Sequence, residues 1–281
     1  MSNTAGRLYV VATPIGNRDD ITLRAIEVLR SVDGILAEDT RHSRRLLDHL
    51  GIHRPMTALH EHNEVGLVQR VIARLEAGES LALISDAGTP LISDPGFPLV
   101  RACREQGIAV VPVPGASALI VALSVSGLPT DRFRFEGFLP RRQQARLAQL
   151  QALRRDTATL VFYESSHRIV ETLRDLVEVF GAQRPAVLAR ELTKLHETLR
   201  SAPLAEVLDW VEADENQRKG EFVVLLAGAG EGGDAGATDV DDVLRILLEE
   251  LPLKQAAGLA ARITGAKKNS LYRRALELAE G

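Results

Sequence analysis

Short runs rich in Val, Ile, Leu and Ala recur along the chain, separated by stretches whose apolar residues fall at helical spacing. The runs at 7–12, 34–38, 80–85 and 109–113 carry too little polar alternation for a half-exposed sheet, which is the pattern of strands buried on both faces. Between them, Ile21, Ala25, Val28, Leu29 and Val32 mark one face of a helix, and Leu67, Val68, Val71, Ile72 and Leu75 mark another. Strand and helix in alternation predict a parallel sheet wrapped by helices.

A second set of strands is expected at 159–163, 186–189 and 222–226, with helices near 167–180 and 204–215. The change of unit falls within 114–135, giving an α/β domain over 1–120 and a second over 121–227. Residues 228–238 have glycine and no periodicity, so they read as a flexible linker to a helical tail at 239–281. In that tail an Ala-rich helix over 253–264, a turn at Gly265 and a helix over 267–278 have the outline of a helix-turn-helix.

Composition narrows the class. With 281 residues and 45% hydrophobic side chains, the chain is long enough for two packed cores. The first six residues are small or polar and lack the apolar stretch of a signal peptide, and runs such as 119–125 are too short to span a bilayer. A soluble protein is expected, with no membrane association. Cys103 is the single cysteine, which excludes an intramolecular disulfide or a thiolate cluster and fits the cytoplasm.

The net charge of -4 gives no bulk attraction to nucleic acid. Locally the picture reverses. Residues 137–155 hold Arg141, Arg142, Arg146, Arg154 and Arg155 without an acid, and 252–276 hold Lys254, Arg262, Lys267, Lys268, Arg273 and Arg274, again without one. Such stretches in an acidic protein point to phosphate contact. The segment His60, Glu61, His62, Asn63, Glu64, with His53 nearby, reads better as a polar substrate loop than as a metal site, and no metal is expected.

Candidate chemistry gathers at the strand ends. Thr13-Pro-Ile-Gly-Asn17 follows the first strand, Ser85-Asp-Ala-Gly-Thr-Pro-Leu-Ile-Ser-Asp-Pro-Gly96 follows the third, and Pro114-Gly-Ala-Ser-Ala118 follows the fourth. Ligands of open parallel sheets lie outside the carboxyl ends of the strands, where glycine lets the main chain come close. The Gly-x-Gly-x-x-Gly spacing of Gly228, Gly230 and Gly233 opens no periodic helix, so it is not read as a dinucleotide loop. Residues 265–270 lack the glycine spacing of a phosphate-binding loop.

The 85–96 loop, with residues 12–17, Ala37-Glu-Asp-Thr-Arg-His-Ser43, Phe162-Tyr-Glu-Ser165 and Ala189-Arg-Glu-Leu-Thr-Lys194, resembles the tetrapyrrole methylase superfamily, specifically its branch that methylates ribose in small-subunit ribosomal RNA. The resemblance covers about 7–227 and extends into the tail. It implies a two-domain class III methyltransferase fold, a homodimer, and S-adenosylmethionine held folded in the cleft between the domains. By position, the cofactor contacts are expected from Pro14, Ile15, Asp86, Ala87, Gly88, Thr89, Pro90, Leu91, Ile92, Ser117, Ala118, Tyr163 and Ala189. Ser166 stands where relatives often carry proline, which bears on the stiffness of that turn.

The activity so implied is methyl transfer to the 2′-hydroxyl of a cytidine in small-subunit ribosomal RNA, with free RNA or the small subunit as partner. A neutral ribose hydroxyl is a poor nucleophile, so a base or a cation beside the developing alkoxide is expected. Asp39 or Glu164 is assigned the proton, and Arg41, Arg190 or Lys194 the negative charge. The alternatives are a small-molecule methylase of the corrin pathway and a DNA-binding regulator that senses S-adenosylmethionine.

Overall fold

A computed structural model describes residues 6–60, 62–230 and 240–280. The first unit runs β1 (Arg7–Val11), α1 (Leu23–Ser31), β2 (Gly34–Ala37), α2 (Thr40–His49), β3 (Met56–Ala58), α3 (Glu64–Glu76), β4 (Leu81–Ile84), α4 (Phe97–Glu105) and β5 (Ala109–Val113). Its strands form one parallel sheet in the order β3-β2-β4-β1-β5. The apolar runs split by strand period between two cores. Leu8, Leu36, Leu81 and Leu83 pack with Val71, Ile72, Leu99 and Cys103 of α3 and α4, while Val11, Ile35, Ala82 and Ile84 pack with Ala25, Leu29 and Leu47 of α1 and α2.

The second unit runs α5 (Ala118–Ser126), β6 (Phe133–Phe138), α6 (Gln143–Leu153), β7 (Thr159–Ser165), α7 (Ile169–Phe180), β8 (Pro185–Arg190), β9 (Thr198–Pro203), α8 (Leu204–Ala213) and β10 (Glu221–Leu226). The sheet order is β6-β7-β10-β8-β9, with β6 and β7 parallel and the remaining pairs antiparallel. One face packs Leu160, Phe162, Leu188 and Val224 against α6, α7 and α8. The other packs Val161, Val187, Val223 and Leu225 against Leu119, Ala122 and Leu123 of α5, and Ile15 of the first unit joins that core. A division after residue 120 therefore cuts a helix whose buried face belongs to the second sheet.

Four strands differ from the expectation, the first being β5, a sheet edge where Ala109 and Pro112 are exposed and only Val113 is buried. β3 is three residues long at a sheet edge and only half-buried, too short to leave a pattern. β6 carries Arg134 and Glu136 and shifts register at Gly137, whose φ is 65°, while β9 is largely exposed. Edge strands of this kind read as polar loops in sequence.

The tail folds as α9 (Val240–Glu250), α10 (Leu253–Thr264) and α11 (Lys268–Glu280) around a core of its own, with Leu244, Ala257, Ala260, Leu271 and Ala275 inside. Gly265 ends α10 in the left-handed region at φ 73°, the conformation glycine supplies at a helix C-terminus. From residue 231 to its end, the expected linker lies outside the described residues. No described helix is long and apolar enough to cross a membrane.

Candidate active site

Three loops meet above the carboxyl edge of the first sheet. Thr13 and Gly88 exchange main-chain hydrogen bonds at 2.8 and 3.1 Å, joining the loops after β1 and β4. Thr89 Oγ1 donates to the Ala116 carbonyl at 3.0 Å and ties in the loop after β5. Gly88 has φ 81°, and a Cβ there would lie 3.3 Å from Ile15 Cγ2, so the close approach requires glycine. The second unit closes down on these loops. The Asn17 N–H donates to Thr193 Oγ1 at 3.1 Å, and a Cβ on Gly16 would come within 2.4 Å of Lys194 Cγ.

Two adjoining cavities lie at this junction, of about 260 and about 320 Å³, sharing Ile15, Asp86, Ala87 and Glu221. The first is walled on one side by Glu38 at the end of β2, by Asp86 to Thr89, and by Ile92, Ser93 and Asp94. Ser117 and Ala118 at the start of α5 form its end, and Phe138, Tyr163, Ala189 and Val223 of the second sheet form the opposite wall. Tyr163 Oη accepts the Leu119 N–H at 3.1 Å, and its ring meets Phe135 and Phe138 edge-on at 4.8 and 5.7 Å. Burial raises the Tyr163 pKa, so it stays a neutral phenol.

Asp94 is the most perturbed group on this wall. Burial, then repulsion from Glu38, raises its carboxyl to about 7 against a hydrogen bond from Ser85, and Asp86 adds to the rise. Asp94, Glu38, Ser93 and Leu192 stand inside the family-like segments but were not among the expected site residues, nor were Phe138, Glu221, Phe222 and Val223, and all of them line the cavity. The doubled Ser-Asp pair, Ser85-Asp86 and Ser93-Asp94, is the local signal that marks Asp94.

Of the expected cofactor contacts, Ile15, Asp86, Ala87, Gly88, Thr89, Ile92, Ser117, Ala118, Tyr163 and Ala189 line the first cavity, and Pro14 lines the second. Pro90 and Leu91 line neither. Leu91 packs against the core under α4, and Pro90 is buried.

The five expected catalytic side chains do not converge. Asp39 caps α2, with Oδ1 accepting from the Arg41 N–H at 2.8 Å and the His42 N–H at 3.4 Å. The Arg41 backbone hydrogen bond holds its carboxyl below the ordinary range, which makes it a poor proton acceptor. Its own N–H donates to Asp86 Oδ1 at 3.1 Å, so it braces a carboxylate that does line the cavity. Arg41 points to solvent, with 93% of its side chain exposed.

Glu164 is a correction. Strand alternation turns it away from Tyr163 onto the α7 side, where it meets Arg168 at 2.8 Å and accepts from Thr172 Oγ1 at 2.7 Å in full burial. Arg190 is a second correction, since its guanidinium donates to the carbonyls of Lys219, Asn216 and His196 and pins the loops around β10. Of the three cations only Lys194 lines either of these two cavities, the second, with Nζ 2.9 Å from Glu191 and 2.7 Å from Glu221. Burial opposes its charge, but the two carboxylates outweigh it and its pKa is raised.

Of the His60 to Glu64 segment, Glu61 lies outside the described residues, and Glu64 supports the site mechanically. Glu64 Oε2 accepts the Gly96 N–H at 2.8 Å and so fixes the end of the 85–96 loop. Among the described residues no cluster of three His, Cys, Asp or Glu side chains is arranged to hold a metal ion. In the first basic stretch Arg141, Arg142, Arg154 and Arg155 are exposed, whereas Arg146 is buried against Asp175. All six basic side chains of the 252–276 stretch are exposed.

Residues 7–208 match the family model for tetrapyrrole (corrin/porphyrin) methylases, and 234–279 match that of the RsmI C-terminal HTH domain. A protein of Pseudomonas aeruginosa named ribosomal RNA small subunit methyltransferase I is 59% identical over 276 residues, covering 98% of each chain. The protein of that name from Escherichia coli O157:H7 is 54% identical over 275 residues, covering 98% of this chain and 96% of its own. Among solved structures, the methyltransferase CobJ superposes with a TM-score of 0.60 at 18% identity, over 80% of this chain and 95% of that one. A uroporphyrin-III-C-methyltransferase from Thermus thermophilus gives 0.55 at 22% identity, over 79% and 94%. These structural likenesses concern the fold.

Proposed function

The chain belongs to the tetrapyrrole methylase family, and from that premise we propose that it transfers a methyl group from S-adenosylmethionine to the ribose 2′-hydroxyl of a cytidine in small-subunit ribosomal RNA. The observation that carries this reading is one chain joining a cleft between two α/β units to a helical tail with exposed cations, over a length at which the ribosomal RNA methyltransferases align end to end. A corrin methylase has no use for the tail. A DNA-binding regulator that senses S-adenosylmethionine would use the same cleft, and the end-to-end alignment with ribosomal RNA methyltransferases favours the enzyme over it.

The cleft suits the cofactor on its own chemistry. Gly88 leaves main chain bare where a Cβ would intrude, Ile15, Ala118 and Leu192 supply apolar surface for an adenosine, and Glu38 and Asp86 favour a cationic ligand. When bound, S-adenosylmethionine supplies an electrophilic methyl group on a sulfonium. The protein's part is then to align the hydroxyl for in-line attack and exclude water.

Phe138 is 53% exposed at the mouth of the first cavity and offers an aromatic face to an unstacked base. Lys194 brings positive charge to the adjoining cavity, and the exposed Arg41 is available to a phosphate of the RNA. The reading extends to a homodimer in the cytoplasm, for which the exposed Ile120 and Val125 of α5 offer an apolar face. The test is a map of ribose methylation in small-subunit RNA from cells with and without the gene. One cytidine mark should disappear and return when purified protein and S-adenosylmethionine are added to the unmethylated subunit or its RNA; an unchanged map would refute the activity.

A further inference from the structure

Asp94 sits where the 85–96 loop departs furthest from relaxed backbone. Leu91 and Ser93 both take left-handed φ angles, 73° and 68°. The left-handed region is sterically disfavoured for a residue with a Cβ, so the surrounding structure must impose it. The loop is held at both ends, by the paired Thr13 and Gly88 and by Glu64 accepting the Gly96 N–H. Held in this way, it turns Leu91 into the core and presents Ile92, Ser93 and Asp94 to the first cavity.

The groups that bear on the Asp94 carboxyl come from each element around it. Ser85 and Asp86 lie at the end of β4, Glu38 at the end of β2 and Tyr163 on β7. Ser85 is a hydroxyl donor, Tyr163 a neutral phenol, and the other two are carboxylates. No cation figures in that set. Asp39 and Glu164 are differently placed, one spent on a helix cap and the other buried against Arg168.

We propose that Asp94 is the proton acceptor for the ribose hydroxyl, an assignment that rests on the substrate reading above. The hydroxyl oxygen forms its bond to the methyl carbon as the carbon–sulfur bond breaks. The electron pair stays on sulfur as a neutral thioether, and the hydroxyl proton passes to the Asp94 carboxylate and then to water. A carboxyl that titrates near neutrality is a stronger base than an ordinary aspartate and is still about half ionised at pH 7.

The experiment compares wild type with Asp94→Asn, which keeps the size and hydrogen-bonding capacity of the side chain. Three readouts are taken: the carboxyl carbon shift of Asp94 against pH in the ligand-free protein, the Kd of S-adenosylhomocysteine by calorimetry, and single-turnover methylation of small-subunit RNA against pH. The assignment expects a carboxyl titrating near 7, an affinity for S-adenosylhomocysteine within about threefold of wild type, and a chemical step slowed roughly a hundredfold or more. It also expects the wild-type rate to climb to a plateau with a midpoint at or below 7, and that limb to vanish in the variant. A variant with the parental rate and profile overturns the assignment. So does a variant that binds S-adenosylhomocysteine weakly but recovers full rate at saturating cofactor, which makes Asp94 a cofactor-holding group. If wild type binds S-adenosylhomocysteine yet leaves the RNA unmethylated, the substrate reading itself has failed and takes the assignment with it.

Discussion

Arg146 and Asp175 meet at 2.5 Å with each side chain only 2% exposed, so the pair lies wholly inside the second unit. Gln143 donates to the other Asp175 oxygen at 2.8 Å, and the Arg146 guanidinium also reaches the carbonyls of Pro140 and Arg141. The charge is therefore compensated within the protein, and this arginine takes no part in phosphate binding.

Breaking that pair on one side leaves an unmatched buried charge. Arg146→Met or Asp175→Leu should each lower unfolding free energy by about 3–5 kcal/mol, and the double variant should recover much of the loss. Arg141→Gln and Arg142→Gln, at exposed positions, should leave stability within about 0.5 kcal/mol. Chemical denaturation of the four single variants and the double variant is the measurement. Equal losses at all three arginines would dismiss the distinction.

Gly88 joins the loops and faces the first cavity at φ 81°. Gly88→Leu should weaken S-adenosylhomocysteine binding by a hundredfold or more, because the side chain enters space bounded by Ile15 and Ala116. The backbone strain adds about 1–2 kcal/mol of destabilisation. Calorimetry with circular dichroism separates the two effects, and a folded variant of parental affinity removes this loop from the cofactor site.

What the sequence made legible follows from how local each signal is. Gly88, Pro114 and the Ser-Asp repeats mark their loops because turn chemistry is written in neighbouring residues. Arg146 and Glu164 misled for the opposite reason. Arg146 finds Asp175 29 residues on, Glu164 finds Thr172 and Arg168 across a turn, and only packing decides that either is buried. Asp94 depends on Glu38, Ser85 and Tyr163, brought from three strands, so no window of sequence contains its environment. The core strands were readable from their apolar runs; β6 and β9, half-polar edges, were not.

Asp94 also gives stability a pH dependence. Its folded carboxyl is raised to about 7 from the ordinary aspartate value of 3.8, so the folded state binds a proton that the unfolded state releases between those values. The associated stability is present in full below about 4 and is lost as pH rises through 7. Asp94→Asn lacks this titration. Its melting temperature should match wild type near pH 4 and exceed it at pH 8; a constant difference across that range would mean that Asp94 ionises normally.

The tail separates binding of RNA from binding of cofactor. Its core is built from its own three helices, and none of its residues lines either cavity. Lys254, Arg262, Lys267, Lys268 and Arg273 are exposed, while Arg274 pairs with Glu277 at 2.6 Å. Cations of this kind bind by releasing counterions from phosphates, so each contact contributes about 0.7–0.9 to the slope of log affinity against log salt. Truncation at Gly236 should leave S-adenosylhomocysteine affinity unchanged, weaken RNA or subunit binding, and flatten that slope. Lys267→Gln with Lys268→Gln should flatten it by a smaller step without unfolding the helices. Loss of cofactor binding on truncation would make the tail structural, whereas an unchanged salt slope would move the phosphate contacts to Arg141, Arg142, Arg154 and Arg155.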